Sequence, residues 1–380
     1  MSWIDADELE KENISFSFRG QNVILEIMMK TKIIQIDENN INNAAVEEAG
    51  RILAEGGLVA FPTETVYGLG ADGLNETAAK RIYAAKGRPS DNPLILHITS
   101  MEELVPLVRE IPETAKVLAE AFWPGPMTMI FQKSDLVPYG TTGGLDTVAV
   151  RMPSHPVARA VIKAAGTPIA APSANTSGRP SPTKASHVVE DMDGKIDMIV
   201  DGGEVGIGLE STIIDVSEDT PTILRPGYIT KEMLEQVIGG VALDRASLGQ
   251  MAPGVHPKAP GMKYRHYAPK AELTIYRGSV PAAARAINEA LRTAAAEGKR
   301  AGVICTEESA GLYEAPVKKI IGTRTQPETI AHNLYDVLRA FDEEAVDCIF
   351  SESFDDSPLS GAIMNRLTKA AGHRIIECRE

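Results

Sequence analysis

The chain has 380 residues, 43% of them hydrophobic and 24% charged, with a formal net charge of -14. That length favours two domains, and the apolar content suffices for two cores. The acidic balance argues against broad electrostatic adhesion to nucleic acid or to an anionic membrane.

Residues 1–28 are acidic and polar, unlike the rest of the chain, and read as a disordered extension rather than a signal peptide. From Met29 onward the pattern is that of an ordinary chain. In NNAAVEEAGRILAEGG, Ala45, Val46, Ala49, Ile52 and Leu53 share one helical face, and Gly-Gly stops the helix. LVAFPT follows as a short buried strand. NETAAKRIYAAKG is a helix with Asn75 as N-cap and Gly87 just past its end. Strands are then expected at PLILHI, MTMIF, TVAVRMP, PIAAPS, IDMIVDGG, STIIDV and TILRPG, with helices over about 156–165 and 184–192 between some of them. The short turns late in this series predict a twisted sheet with both parallel and antiparallel pairs.

A helix at TKEMLEQVIGG precedes MAPGVHPKAPGMKYRHYAPK, a Pro- and Gly-rich stretch without period that reads as an extended linker. Beyond it a βαβ series runs from ELTIYRG to HRIIECR and predicts a smaller parallel α/β/α domain. The expected division is a catalytic domain over 29–240, a linker over 241–269 and a C-terminal α/β domain over 270–380. Cys305, Cys348 and Cys378 form no C-x-x-C pair and read as reduced core thiols of a cytoplasmic protein. No apolar run reaches the roughly 18 residues of a membrane span.

The usual nucleotide and hydrolase signatures are missing: no G-x-x-x-x-G-K-[ST], no H-E-x-x-H and no G-x-S-x-G. Polar residues at strand ends stand in their place. In FPTETVYGLG, Thr63, Thr65 and Tyr67 alternate and would face one side of an extended chain. In AAKGRPSDNPLILHI, Lys86 sits in a last helical turn, where a cation complements the dipole. Arg88, fixed between Gly87 and Pro89, makes with it a fork for a polyphosphate or carboxylate. His97 closes an apolar strand, where a histidine is more often a satisfied core residue. Ser173 and Asn175 alternate ahead of a Pro-, Gly- and Ser-rich loop, either as a phosphate or base contact or as a plain Asx/Ser turn. Arg151 interrupts an apolar strand and must be paired or face a cleft. Ser211, Thr212 and Arg225 complete the set. Such a group of cations and hydroxyls points to a cleft for a small polyanion. ATP fits, with chemistry by positioning and charge stabilisation.

PTETVYGLG, KGRPSDNPLILHI, FWPGPMT, VAVRMP, PSAN, GLESTIID and LRPG resemble the YrdC-like domain of threonylcarbamoyl-AMP synthases. PGMKYRHYAP and the tail resemble the long, two-domain form, so the likeness runs from about Ile41 to the end. The resemblance implies a YrdC-like twisted mixed sheet flanked by helices. It implies a nucleotidyltransferase that makes threonylcarbamoyl-AMP and pyrophosphate from L-threonine, bicarbonate and ATP, for threonylcarbamoyl-adenosine next to the tRNA anticodon. The family's Lys-x-Arg and Ser-x-Asn signature falls on Lys86, Arg88, Ser173 and Asn175, with Lys86 and Arg88 as the catalytic pair. ATP is then expected on Lys86, Arg88, Asn92, Thr147, Ser173, Asn175, Ser181 and Arg225, and threonine on Thr65, His97, Arg151, Ala171 and Ser211. A linker tyrosine closes over the site, Tyr264 as first choice and Tyr267 as second. Mg2+ rides on the phosphates with no protein ligand named. Transient contact with the proteins that pass threonylcarbamoyl to tRNA is implied, with weak or no tRNA binding. Two other readings compete: an RNA-binding module without catalysis, against which the charge argues, and an enzyme using carbamoyl phosphate, whose usual accompanying segments the chain lacks.

Overall fold

A computed structural model of the chain describes residues 14–15, 28–244, 258–260 and 266–379. Apart from the short strand β1 (Ile14–Ser15), antiparallel to β2 (Met28–Met29), the expectation about residues 1–28 lies outside the described residues.

Local signals set the first elements. After β3 (Lys32–Gln35), helix α1 (Asn43–Ala54) begins where the Asn42 side chain accepts from the N–H groups of Ala44 and Ala45. Strands β4 (Val59–Phe61) and β5 (Gly68–Asp72) flank a bend, and α2 (Glu76–Lys86) follows. Asn75 caps α2 through its side chain, and Gly87 ends it in the left-handed conformation, φ +60°. Next come β6 (Ile95–His97), the single turn α3 (Met101–Leu104), α4 (Glu113–Phe122), β7 (Met127–Gln132), the turn α5 (Tyr139–Thr142) and β8 (Thr147–Arg151). Helix α4 has no counterpart in the sequence reading. Then follow α6 (Pro156–Ala165), β9 (Ile169–Ala170), α7 (Ala185–Met192), β10 (Met198–Asp201), β11 (Thr212–Asp215), β12 (Thr222–Arg225), α8 (Lys231–Ile238) and β13 (Ala242–Leu243). Strand β9 is shorter than PIAAPS foretold, because Pro172 cannot donate to the ladder.

Among the described residues these strands form one eleven-stranded sheet, ordered β13-β12-β11-β7-β8-β6-β9-β5-β4-β10-β3. It is mixed as expected: β6 runs parallel to β8, while β7 and β8 are antiparallel. Alternate residues feed two cores. Val59, Phe61, Met198 and Val200 pack with α1 and α6, while Leu58, Ala60 and Ile199 pack on the opposite face with α2 and α4. Strand β13 extends this sheet from within the stretch read as linker.

The remainder forms a second sheet from β14 (Glu272–Arg277), β15 (Ala301–Cys305), β16 (Val317–Ile320), β17 (Cys348–Glu352) and β18 (Ile375–Glu377). Its order is β16-β15-β17-β14-β18 and every pair is parallel. Helix α9 (Val280–Ala296) covers one face, and α10 (Pro327–Glu343) and α11 (Ser360–Ala370) cover the other. The core beneath α10 and α11 also takes in Val66, Leu209 and Tyr267, so this face docks onto loops of the larger sheet. The three cysteines are free thiols.

Candidate active site

The parallel neighbours β6 and β8 end in register, so His97 lies beside Arg151. Arg225 ends β12, Ser211 immediately precedes β11, and Ser173 bridges to Gly68 at the start of β5. These ends converge on one cavity. Lys86, Arg88, His97, Arg151, Ala171, Ser173, Asn175, Ser181, Ser211 and Arg225 all line it.

Lys86 is buried, and its ammonium donates to the carbonyls of Ser173 and Asn175 and, at 3.4 Å, to Asn175 Oδ1. It therefore clamps the PSAN turn to the end of α2. Burial and then the nearby Arg88 charge hold its pKa well below the usual lysine value. Arg88 uses Nη2 on the carbonyls of Asn92 and Pro93, at 3.3 and 3.1 Å, while its buried Nε has no partner among the described residues. That leaves a donor unspent on the protein. Arg225 donates from Nε and Nη2 to the Ser211 carbonyl at 3.1 and 3.0 Å.

Arg151 is held by Glu64, Nη2 to Oε1 2.6 Å, and Glu64 also accepts from the Ser154 N–H. Burial alone would raise the Glu64 pKa, but the Arg151 charge and hydrogen bond bring it below the usual value. The His97 Nδ1–H donates to the Ile95 carbonyl at 3.1 Å. Burial, and then Arg151, lower its pKa to about 3, so the ring is neutral at physiological pH and keeps Nε2 as an acceptor.

Three of the expected contacts, Thr65, Asn92 and Thr147, are not among the lining residues. The PTETV segment is a bend rather than an extended strand, so its threonines do not alternate across a sheet. Thr63 lines the cavity, while Thr65 lies fully buried, its hydroxyl 2.9 Å from that of Thr63. Tyr67 points away and donates to the Gly203 carbonyl at 2.6 Å. Asn92 is buried behind Arg88, offering it a backbone carbonyl. Thr147 starts β8, four residues from Arg151, about 13 Å along an extended strand. Tyr264 lies outside the described residues, whereas Tyr267, the second choice, lines the cavity and stacks 5.1 Å from Tyr335 of α10.

Sequence reasoning passed over Glu64, Glu210 and His266. Glu210 and His266 both line the cavity, and Glu210 is the single acid among the described lining residues. GLESTIID was read for its hydroxyls, and the glutamate within it was the available signal. Among the described residues no group of three or more His, Cys, Asp or Glu could hold a metal ion, and no helix is long and apolar enough to cross a membrane.

Comparison with known proteins shows the family and the fold. A Sua5/YciO/YrdC family model, described as "Telomere recombination", matches residues 51–227, and one for the C-terminal domain of threonylcarbamoyl-AMP synthase matches 229–372. The threonylcarbamoyl-AMP synthase of Bacillus subtilis is 52% identical over 92% of this chain and 100% of its own length. That of Pyrococcus abyssi is 50% identical over 91% of this chain and 99% of its own. The crystal structure of P. abyssi Sua5 complexed with L-threonine superposes with a TM-score of 0.87 at 49% identity, covering 92% of this chain and 100% of that one.

Proposed function

The chain belongs to the threonylcarbamoyl-AMP synthase family, and from that premise we propose how its cavity carries the reaction. ATP lies across Lys86, Arg88, Ser173, Asn175, Ser181 and Arg225, and L-threonine across His97, Arg151, Ala171 and Ser211. Arg151 takes the threonine carboxylate. His97 Nε2, an acceptor because Nδ1 carries the proton, accepts a hydrogen bond from the threonine ammonium or hydroxyl. Thr65 and Asn92 support this wall from behind rather than forming it.

Once its ammonium has given a proton to solvent, the threonine amine joins bicarbonate as a carbamate with loss of water. A carbamate oxygen then attacks the α-phosphorus, its P–O bond forms, and the bond to the β-phosphate oxygen breaks to release pyrophosphate. Arg88, with its free Nε–H, stabilises the charge that gathers on the leaving phosphates. Lys86 adds positive field and fixes the Ser173–Asn175 turn. Mg2+ enters with the nucleotide as MgATP, keeping its waters. The one lining carboxylate, Glu210, is already engaged by protein donors.

The same reading assigns residues 29–240 to catalysis, 241–269 to a linker that closes over the site through Tyr267, and 270–380 to a C-terminal domain. It places the protein in the cytoplasm, passing its adenylate to the proteins that modify tRNA.

The observation that carries this reading is the convergence of Lys86, Arg88, Arg151 and Arg225 on one cavity of a chain with net charge -14. The test is product analysis with ATP, threonine and labelled bicarbonate. Labelled threonylcarbamoyl-AMP and pyrophosphate should form only when all three are present. Carbamoyl-phosphate turnover without threonine, or tRNA binding without turnover, would favour the competing readings.

A further inference from the structure

Glu210 sits between the two sheets. Its carboxylate accepts from Ser181 Oγ at 2.6 Å, from the Tyr335 hydroxyl at 2.9 and 2.8 Å, and from Arg366 Nε at 3.1 Å. Ser181 and Glu210 belong to the larger domain and line the cavity, whereas Tyr335 and Arg366 come from α10 and α11 of the C-terminal domain. Tyr335 and Arg366 are fully buried.

Arg366 does more than neutralise Glu210. Its Nη1 donates to the Pro226 carbonyl and its Nη2 to the Glu210 carbonyl, the latter at 3.4 Å. Those backbone groups adjoin Arg225 and Ser211, which are themselves joined by the Arg225–Ser211 hydrogen bonds. One guanidinium from the C-terminal domain thus ties together the two strand ends that present Arg225 and Ser211 to the cavity. The fork geometry suits this, since its five donors lie in one plane and can bridge several acceptors at once.

We propose that Arg366 and Tyr335 are positioning residues for the adenylate-forming site. They act through Glu210 to fix Ser181, and through the 210–211 and 225–226 backbone to fix Ser211 and Arg225. The C-terminal domain then completes the catalytic site without touching substrate. The inference rests on the site assignment above.

The charge state is consistent with this. Burial would push the Glu210 carboxyl up, but Arg366 and then Arg225 bring it down to about 2, so it remains an acceptor throughout the working pH range. A buried carboxylate left without one of these donors would pull other donors toward itself, and Arg225 and Ser181 are near.

The test compares Tyr335→Phe and Arg366→Lys in the full chain, with Lys86→Ala as reference. KM for ATP, KM for threonine, kcat and the thermal midpoint are measured separately. Tyr335→Phe keeps the ring against Tyr267 and removes only the hydroxyl. It should raise KM for ATP about tenfold, the scale of a hydrogen bond to a charged group, with threonine KM within about twofold and little change in thermal midpoint. Arg366→Lys keeps the charge but loses the bridging fork, and should impair both substrates. A purely structural role would lower kcat with the folded fraction and leave both KM values alone; that outcome, or an unchanged ATP KM in Tyr335→Phe, overturns the inference. If Arg366→Lys does not fold, Tyr335→Phe decides alone. Should Lys86→Ala keep full activity, the site assignment itself fails. Should it be inactive while Tyr335→Phe and Arg366→Lys leave both KM values unchanged, only the positioning role falls.

Discussion

Lys86 and Arg88 stand two residues apart yet spend their donors differently. The Lys86 ammonium gives its hydrogen bonds to the Ser173–Asn175 turn, whereas Arg88 has a buried Nε–H that meets no acceptor among the described residues. Replacing either by alanine should cost roughly 10²-fold in rate, the scale of losing a charge-stabilising donor. The two should separate in unfolding experiments. Lys86→Ala should lower the denaturation midpoint, because the turn loses its clamp, while Arg88→Ala, which removes only the Nη2 bonds to the Asn92 and Pro93 carbonyls, should lower it less. Equal midpoints for the two variants would contradict the division of roles. His97 gives a pH prediction. Its folded pKa of about 3 lies below the ordinary 6.5, so the ring is neutral across the usual assay range. Threonine affinity, followed by calorimetry from pH 5 to 8, should show no inflection near 6.5; a loss of affinity centred there would show that the ring protonates in the site.

At the scale of elements, α2 and the turn after it were legible from sequence because their signals are local. Asn75 caps within three residues, and Gly87 supplies the left-handed residue that stops the helix before Arg88. Nothing lies within 4 Å of a Cβ built on Gly87, so alanine meets no steric clash there. It still carries the left-handed backbone penalty, and Gly87→Ala should cost about 1 kcal/mol of stability, measured by urea unfolding, with a larger effect on ATP KM than on threonine KM because Arg88 follows directly. An unchanged urea midpoint would show that the turn tolerates a side chain. The threonine pattern of PTETV misled for a complementary reason. Alternation assigns faces only in extended chain, and here Thr63 Oγ1 accepts from the N–H groups of Thr65 and Val66 and holds the segment in a bend. The short β9 and the strand β13 inside the linker likewise depend on neighbours that pattern reading does not see.

At the scale of the whole molecule, both sheets, their mixed and parallel character and most of the site were legible, since each rests on runs of adjacent residues. The interface was not. Glu210 and Arg366 are 156 residues apart, and Asp191, clasped by Arg179 and by Arg339 of α10, is 148 from Arg339. Nothing local distinguishes Arg339 or Arg366 from a solvent-facing helix residue; only docking of the domains buries them. The interface also sets an acid limit. Glu210 and Asp336 have folded pKa values of about 2, against 4.5 and 3.8 unperturbed, Asp336 being held down first by its hydrogen bond from His187. Depressed carboxyl values contribute stability that is complete above the unfolded pKa and lost as pH falls toward the folded one. The thermal midpoint should therefore drop between about pH 4.5 and 2, and Glu210→Gln should flatten part of that fall. A wild-type midpoint independent of pH over this window would contradict the ionised interface.

The most direct test of the account is a crystal structure with a non-hydrolysable ATP analogue and L-threonine bound together. The triphosphate should lie against Arg88 and Arg225 beside the Ser173–Asn175 turn, with the threonine carboxylate on Arg151 and its amine facing the α-phosphate. Density for either ligand away from this cavity, with these side chains left facing water, would contradict it.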